Sequence, residues 1–415
     1  MVVNGIIAEY NPFHNGHALQ IRQGKEETGA DYTIVVMSGN FVQRGAPAML
    51  DKYSRTRMAL EGGADLVLEL PAPYAVASAE YFATGGVNLL HKLGVVTHLI
   101  YGVENGSLQD MERIADVLLE EPEDFRRLLL EQQRSGISYP MARNNALVQY
   151  DPSLFNASTL LGSPNNILAV EYLKALKRSH SNILPHPILR QGSNYHDRYL
   201  GNQYTSATAI RHAVTYGENL QSLENVMHAS AFDTLMQAAK SHSVMDVDDF
   251  SEMLLYKLLN EADKGFEEYL DVDRELSDRI VKNLSRYTRL SEFIDYLKTK
   301  DKTYTRVSRA LFHILLDIKD TDIEMLRLIN TTPYARILGF RKESEGLLTQ
   351  IKSRSSIPMI SKYSEAKRLL YHESFQILEK GLHISDIYNA AVSGKTHAPL
   401  IRDLTAPVIV LKENE

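Results

Sequence analysis

The chain of 415 residues contains no cysteine. That absence excludes disulfides, thiolate zinc sites, Fe–S clusters and cysteine nucleophiles. Long apolar runs are missing too: none approaches the roughly eighteen residues that cross a bilayer, so no membrane partner is expected. The opening residues lack a basic n-region and an apolar h-region, so no signal peptide is read and a cytoplasmic location is expected. The sequence also has no internal repeat and no low-complexity tract.

What is present is ordinary for a globular protein, with 44% hydrophobic and 23% charged residues. The length exceeds one usual domain and predicts two, each able to bury a core. Net charge is −7, but it is unevenly spread. Residues 282–369 hold 18 Lys and Arg against 10 Asp and Glu, a balance of +8 that leaves −15 for the rest. A basic segment in an acidic chain is the footprint expected for a phosphate-backbone partner, and equally of a solvated helical surface.

The first two hundred residues alternate strand and helix. Apolar strands are predicted at 3–9, 32–37, 64–70, 97–103 and 188–190. Helices are predicted at 17–28, 51–61 with Asp51 as cap, 78–93, from Ser163-Pro164 onward, and from Ser206 onward. This pattern argues for an α/β fold, a Rossmann-like parallel sheet with helices on both faces. Ligands then bind at the carboxyl ends of the strands, where the polar and glycine-rich clusters lie. Beyond about Tyr216 strand patterns are absent and apolar residues fall at helical spacing, so an all-helical C-terminal domain is expected. The predicted domains are 1–217 and 218–415.

After the first strand the chain turns through Asn11-Pro12-Phe13 into His14-Asn15-Gly16-His17 at the start of a helix. A helix N-terminus presents unpaired N–H groups and a positive dipole end to an anion. Gly16 lets a ligand approach the backbone, and two imidazoles three residues apart share one helix face. Such donors can stabilise charge developing on the α-phosphate of ATP and on departing pyrophosphate. The histidine pair could instead bind a metal, but no third ligand sits at a matching local spacing, and no metal site is assigned.

The run Gly5-Ile6-Ile7-Ala8-Glu9-Tyr10-Asn11-Pro12-Phe13-His14-Asn15-Gly16-His17 resembles the opening of the HIGH-motif nucleotidyltransferase superfamily. More narrowly, it is similar to the bacterial tRNA(Met) cytidine acetate ligase family. Further matches run through Met37 to Gly45, Asp65 to Pro71, Ser163 to Leu168, Tyr195-His196-Asp197, Ser206 to Arg211 and Pro333 to Phe340. The resemblance implies ligation of acetate to the wobble cytidine of elongator tRNA(Met), using ATP and passing through acetyl-adenylate. It implies His14 and His17 as catalytic residues. It implies that Ile7, Ala8, Glu9, Tyr10, Asn11, Pro12 and Phe13, with Asn15, Gly16, Ala18, Leu19 and Gln20, wrap the nucleotide. Gly102, Asn165, Arg190, Thr208 and Arg211 would complete the ATP site. Mg²⁺ is expected with ATP, with Glu9 and Asp197 as candidate links to it. Val103 departs from the serine often found after the strand-four glycine in this family. Ser361-Lys362-Tyr363-Ser364 superficially matches a KMSKS loop, but it lies in the helical half, far from the sheet in sequence, so contact with tRNA is the alternative to contact with ATP.

For RNA, Lys300, Lys302, Tyr304, Arg306 and Arg309 form the strongest candidate contact. Basic side chains bind phosphates, and an exposed aromatic can stack on an unpaired base. Arg336, Arg341 and Lys342 are read as adding to that charge field. The competing reading is a solvated helix face with Tyr304 half-buried. The competing function is adenylylation of a small phosphorylated metabolite, which would use the same ATP site but has little need of the basic second half.

Overall fold

The structure, a computed structural model, describes residues 1–190, 204–217, 219–329 and 331–412. The motif at Tyr195 to Asp197 lies outside the described residues. Eight strands form one sheet: β1 (Val3–Ala8), β2 (Tyr32–Ser38), β3 (Leu66–Leu70), β4 (His98–Val103), β5 (Leu184–Leu189), β6 (Ala335–Arg341), β7 (Met359–Ile360) and β8 (Ile409–Leu411). Their order is β8-β6-β3-β2-β1-β4-β5, with β7 also beside β6. Every pairing is parallel except that of β3 with β6.

The expected parallel core is present. The expectation of no strands beyond residue 216 is corrected by β6, β7 and β8, which extend the sheet past β3. The reason they escape a pattern search is local. The β3–β6 register shifts between Val67 and Leu68, and burial along β6 runs irregularly rather than alternating. One apolar cluster runs from Val3 in the sheet to Ala391, so the helical half packs onto the same core.

Six helices matter for the site. They are α1 (Asn15–Thr28), α2 (Lys52–Glu61), α3 (Ala79–Lys92), α4 (Pro164–Arg178), α5 (Ala207–Thr215) and α6 (Tyr304–Leu315). Their starts follow from capping chemistry. Asp51 accepts from the N–H groups of Tyr53 and Ser54, Ser206 from that of Ala209, and Thr303 from that of Arg306. Ser163 stands at the cap of α4 without a side-chain bond, and Pro164 there costs no helical hydrogen bond. No helix among the described residues is long and apolar enough to cross a membrane.

Candidate active site

The strand order reverses between β1 and β4, with β2 on one side of β1 and β4 on the other. At such a switch point the loops diverge and leave a crevice outside the carboxyl ends. A cavity of about 520 Å³ occupies that place. It is bordered by Ile7 and Ala8 at the end of β1 and Glu9 to Asn11 just after it, by Tyr101 and Gly102 of β4, and by Ile188 to Arg190 at β5. Gly16 and His17 of α1, Pro164 and Asn165 of α4, and Ala207 and Thr208 of α5 also line it, so three helix N-termini converge on one space. Their dipoles favour an anionic ligand.

The histidine turn is self-organised. His14 caps α1, its Nδ1 accepting from the Gly16 N–H at 3.1 Å, while the His17 Nδ1 accepts from the His14 N–H at 3.3 Å. The two rings stack with centroids 3.8 Å apart. A Cβ on Gly16 would lie 2.9 Å from the His14 ring, so glycine here also makes room for the cap. With Nδ1 accepting in both rings, the neutral tautomer carries its proton on Nε2. Burial, then the charges of Arg190 and Arg211, push the His14 pKa down to about 3. Burial, His14 and Arg190 hold His17 well below its usual value. The pair therefore offers two neutral N–H donors. The rings lie face to face, and no set of three His, Cys, Asp or Glu among the described residues is arranged to hold a metal.

Arg211 ties the turn to α5. Its Nη1 donates to the Asn11 carbonyl at 2.7 Å and its Nη2 to the Thr208 hydroxyl at 3.2 Å. On the far side of the turn, Arg55 of α2 is fully buried and donates to the carbonyls of Glu9, Ser38, Gly39 and Leu50. This guanidinium joins the ends of β1 and β2. A Cβ on Gly102 would meet the Arg190 stem at 3.3 Å, so the small residue lets that side chain lie across β4. Asn165 donates to the Glu104 carboxylate at 2.8 Å, and buried Asn166 accepts from the Glu104 N–H and donates to Asn105. The Asn-Asn pair thus clamps α4 to the loop after β4.

Of the residues anticipated for ATP, Ile7 to Asn11, His14, Gly16, His17, Leu19, Gln20, Gly102, Asn165, Arg190, Thr208 and Arg211 all border the cavity. Pro12, Phe13, Asn15 and Ala18 do not. Pro12 follows a cis peptide bond, and buried Phe13 packs edge-on against Tyr10. Asn15 donates to the Asn225 carbonyl, and Ala18 packs on a separate apolar cluster that includes Ile6, Phe13 and Ile21. Gln43 and Arg44, in the Ser38 to Arg44 stretch anticipated for acetate, also line the cavity, and Tyr172, Thr303 and Thr305 line it without having been anticipated. Tyr172 had a signal, since Asn165, Leu168 and Tyr172 share one face of α4. Thr303 and Thr305 had none, because only folding brings α6 to the rim.

The segment anticipated for RNA divides. Lys300 is exposed, Tyr304 is 39% exposed, and Arg306 keeps 43% of its side chain in solvent while lying 3.6 Å from Asp273. Lys302 is buried against Asp273 and Glu275, and Arg309 is held by Asp271 at 2.8 Å. Arg336 and Arg341 do not add to a surface charge field. Arg336 pairs with Glu69 and Asp403, and Arg341 donates to the Leu60 carbonyl. The Ser361 to Ser364 stretch is not among the residues bordering the cavity.

A parallel sheet with a switch-point crevice and a His-x-Gly-His helix start defines a nucleotidyltransferase of the HIGH class, and the HIGH Nucleotidyl Transferase family model matches residues 1–400. A tRNA(Met) cytidine acetate ligase of Clostridium novyi is 38% identical over 362 residues, covering 87% of this chain and 90% of its own. One from Thermoanaerobacter sp. is 39% identical, with 99% and 100% covered. The crystal structure of apo Thermotoga maritima TmcAL superposes with a TM-score of 0.92 at 28% identity, covering 99% of this chain and all of that one. TmcAL bound with alpha-thio ATP gives 0.90 at 29% identity. The chain belongs to the tRNA(Met) cytidine acetate ligase family.

Proposed function

We propose that this protein ligates acetate to N4 of the wobble cytidine of elongator tRNA(Met), using ATP and forming N4-acetylcytidine, AMP and pyrophosphate. The observation that carries the first half is the pair of neutral Nε2–H donors at the α1 N-terminus, flanked by Arg190 and Arg211. An acetate oxygen attacks the α-phosphorus, the bond to the β-phosphate oxygen breaks, and pyrophosphate departs. His14 and His17 donate to the α-phosphate oxygens and to the leaving group as charge builds there, a contribution of several kcal/mol where the donors are already oriented. Arg211 and Thr208, together on α5, hold phosphate oxygens, a task suited to a two-pronged guanidinium. Near-full-length relatives bearing the ligase name favour this reading over adenylylation of a small metabolite.

Mg²⁺ fits as an ion carried in on the triphosphate rather than as a resident one. Glu9 is the one carboxylate among the described lining residues, and one of its oxygens is committed to the Gln43 N–H. Such an ion would neutralise phosphate charge. The exposed Lys300 and Tyr304 and the half-exposed Arg306 lie beside Thr303 and Thr305 at the cavity rim, which supports them as the RNA contact.

The test is incubation with ATP, labelled acetate and bulk bacterial tRNA, followed by digestion of the RNA. Label in N4-acetylcytidine is expected. Formation of AMP on another acceptor, with no label in RNA, overturns the reading.

A further inference from the structure

Acetyl transfer needs a proton acceptor. The N4 amine of cytidine is a weak nucleophile that gains positive charge as it bonds to the acyl carbon, and it must shed a proton. Few of the described residues lining the cavity can take one. Arg44, Arg190 and Arg211 are permanently protonated. His14 and His17 have each engaged Nδ1 with a backbone N–H, so Nε2 is a donor with no lone pair to offer. Phenols are ordinarily protonated at neutral pH. Among the described lining residues that leaves one carboxylate, Glu9.

Its placement suits the task. Glu9 follows the last residue of β1, with its carbonyl fixed by Arg55 at 2.6 Å. Oε1 accepts from the Gln43 N–H at 2.8 Å, and Oε2 has no partner among the described residues. Gln43 and Arg44 share the rim with Thr303 and Thr305 at the start of α6. The loop they belong to is packed onto that helix, with Ser308 donating to the Gly45 carbonyl and a Cβ on Gly45 meeting the Arg309 backbone at 2.4 Å. An RNA held at the exposed start of α6 would deliver its base to this rim.

We propose that Glu9 is the general base that takes the N4 proton of the acceptor cytidine, an assignment that rests on the ligase reading above. The N4 lone pair forms the C–N bond to the acetyl carbon while Glu9 Oε2 takes the N4 proton. The tetrahedral carbon then releases its oxygen to the phosphate, AMP leaves with the bonding electrons, and Glu9 returns its proton to solvent.

Glu9→Gln keeps an acceptor for the Gln43 N–H and removes the base. Three rates separate the steps: acetate-dependent ATP–pyrophosphate exchange, single-turnover acetyl transfer to tRNA, and trapping of acetyl-adenylate by hydroxylamine, an amine reactive enough to need no base. Transfer to tRNA is expected to fall at least about 100-fold further than exchange, the range of a general base, while hydroxylamine trapping follows exchange. Glu9→Asp should regain part of the transfer. Parallel loss of exchange and transfer, especially one relieved by raised Mg²⁺, overturns this assignment alone. Absence of acetate-dependent exchange in the wild-type protein overturns the ligase reading and the assignment together.

Discussion

The neutrality of His14 and His17 sets how this site responds to pH. Unfolded, each imidazole protonates near pH 6.5. Folded, His14 does so only near 3, and His17 is likewise held low. Between those values the unfolded chain binds protons that the folded chain does not, so stability falls as pH drops below about 6.5. Each histidine contributes up to about 1.4 kcal/mol per pH unit to that slope. Urea denaturation at pH 7.5, 6.5 and 5.5 should show the loss, and His14→Asn with His17→Asn should flatten it. Asparagine can also keep the cap acceptor in place of Nδ1 while deleting the Nε2 donor. Either single variant should therefore fold, yet lose about 100- to 1,000-fold in acetate-dependent pyrophosphate exchange. Unchanged exchange in both would remove the role assigned to the pair.

At the scale of elements, α6 illustrates how one basic run divides between solvent and core. Lys302 sits buried under Asp273 and Glu275, Lys300 faces outward, and Arg306 is half-exposed with Asp273 3.6 Å away. Substituting Lys300 and Arg306 together by Ala should lower the salt dependence of tRNA binding by about two in slope and leave the urea midpoint nearly unchanged. Lys302→Ala should act oppositely, costing about 1 kcal/mol in stability through its lost stem packing and unpaired carboxylates, with the salt slope unmoved. Fluorescence titration of labelled tRNA at several salt concentrations, paired with denaturation, distinguishes the two. The sequence shows that these side chains are cationic. Which of them meet acid depends on the loop at 271–275, about thirty residues earlier in the chain.

Across the whole molecule, the second half is bound to the first through a buried ion network. Lys52 of α2 and Arg336 of β6 share Glu69 of β3 and Asp403, and the Tyr53 hydroxyl donates to Asp403 as well. The two cations hold the Asp403 carboxyl well below the usual range despite its burial. Removing one member strands charge in the interior. Asp403→Ala should cost about 3–5 kcal/mol, read from the shift in denaturation midpoint, and should exceed any single surface ion-pair deletion in this chain. The β-strand that carries Arg336 was not legible beforehand. Its Ala-Arg-Ile-Leu-Gly-Phe-Arg lacks a period-two pattern because a register shift interrupts its pairing, and its arginines read as surface charge until Glu69 and Leu60 are seen beside them.

What the sequence alone determined is the local chemistry. The parallel strands, the capped helix starts and the His-x-Gly-His turn all arise from neighbours within a few residues. Each is set by periodicity, capping and backbone freedom. The family resemblance extended that reading along the chain. Only the tertiary structure decided that Arg55 and Arg211 brace the turn from opposite helices and that both imidazoles are neutral. It likewise decided that Glu9 stands alone as a carboxylate among the described lining residues, beneath a rim closed by α6. These outcomes depend on burial and on partners tens to hundreds of residues distant, quantities that no local pattern encodes.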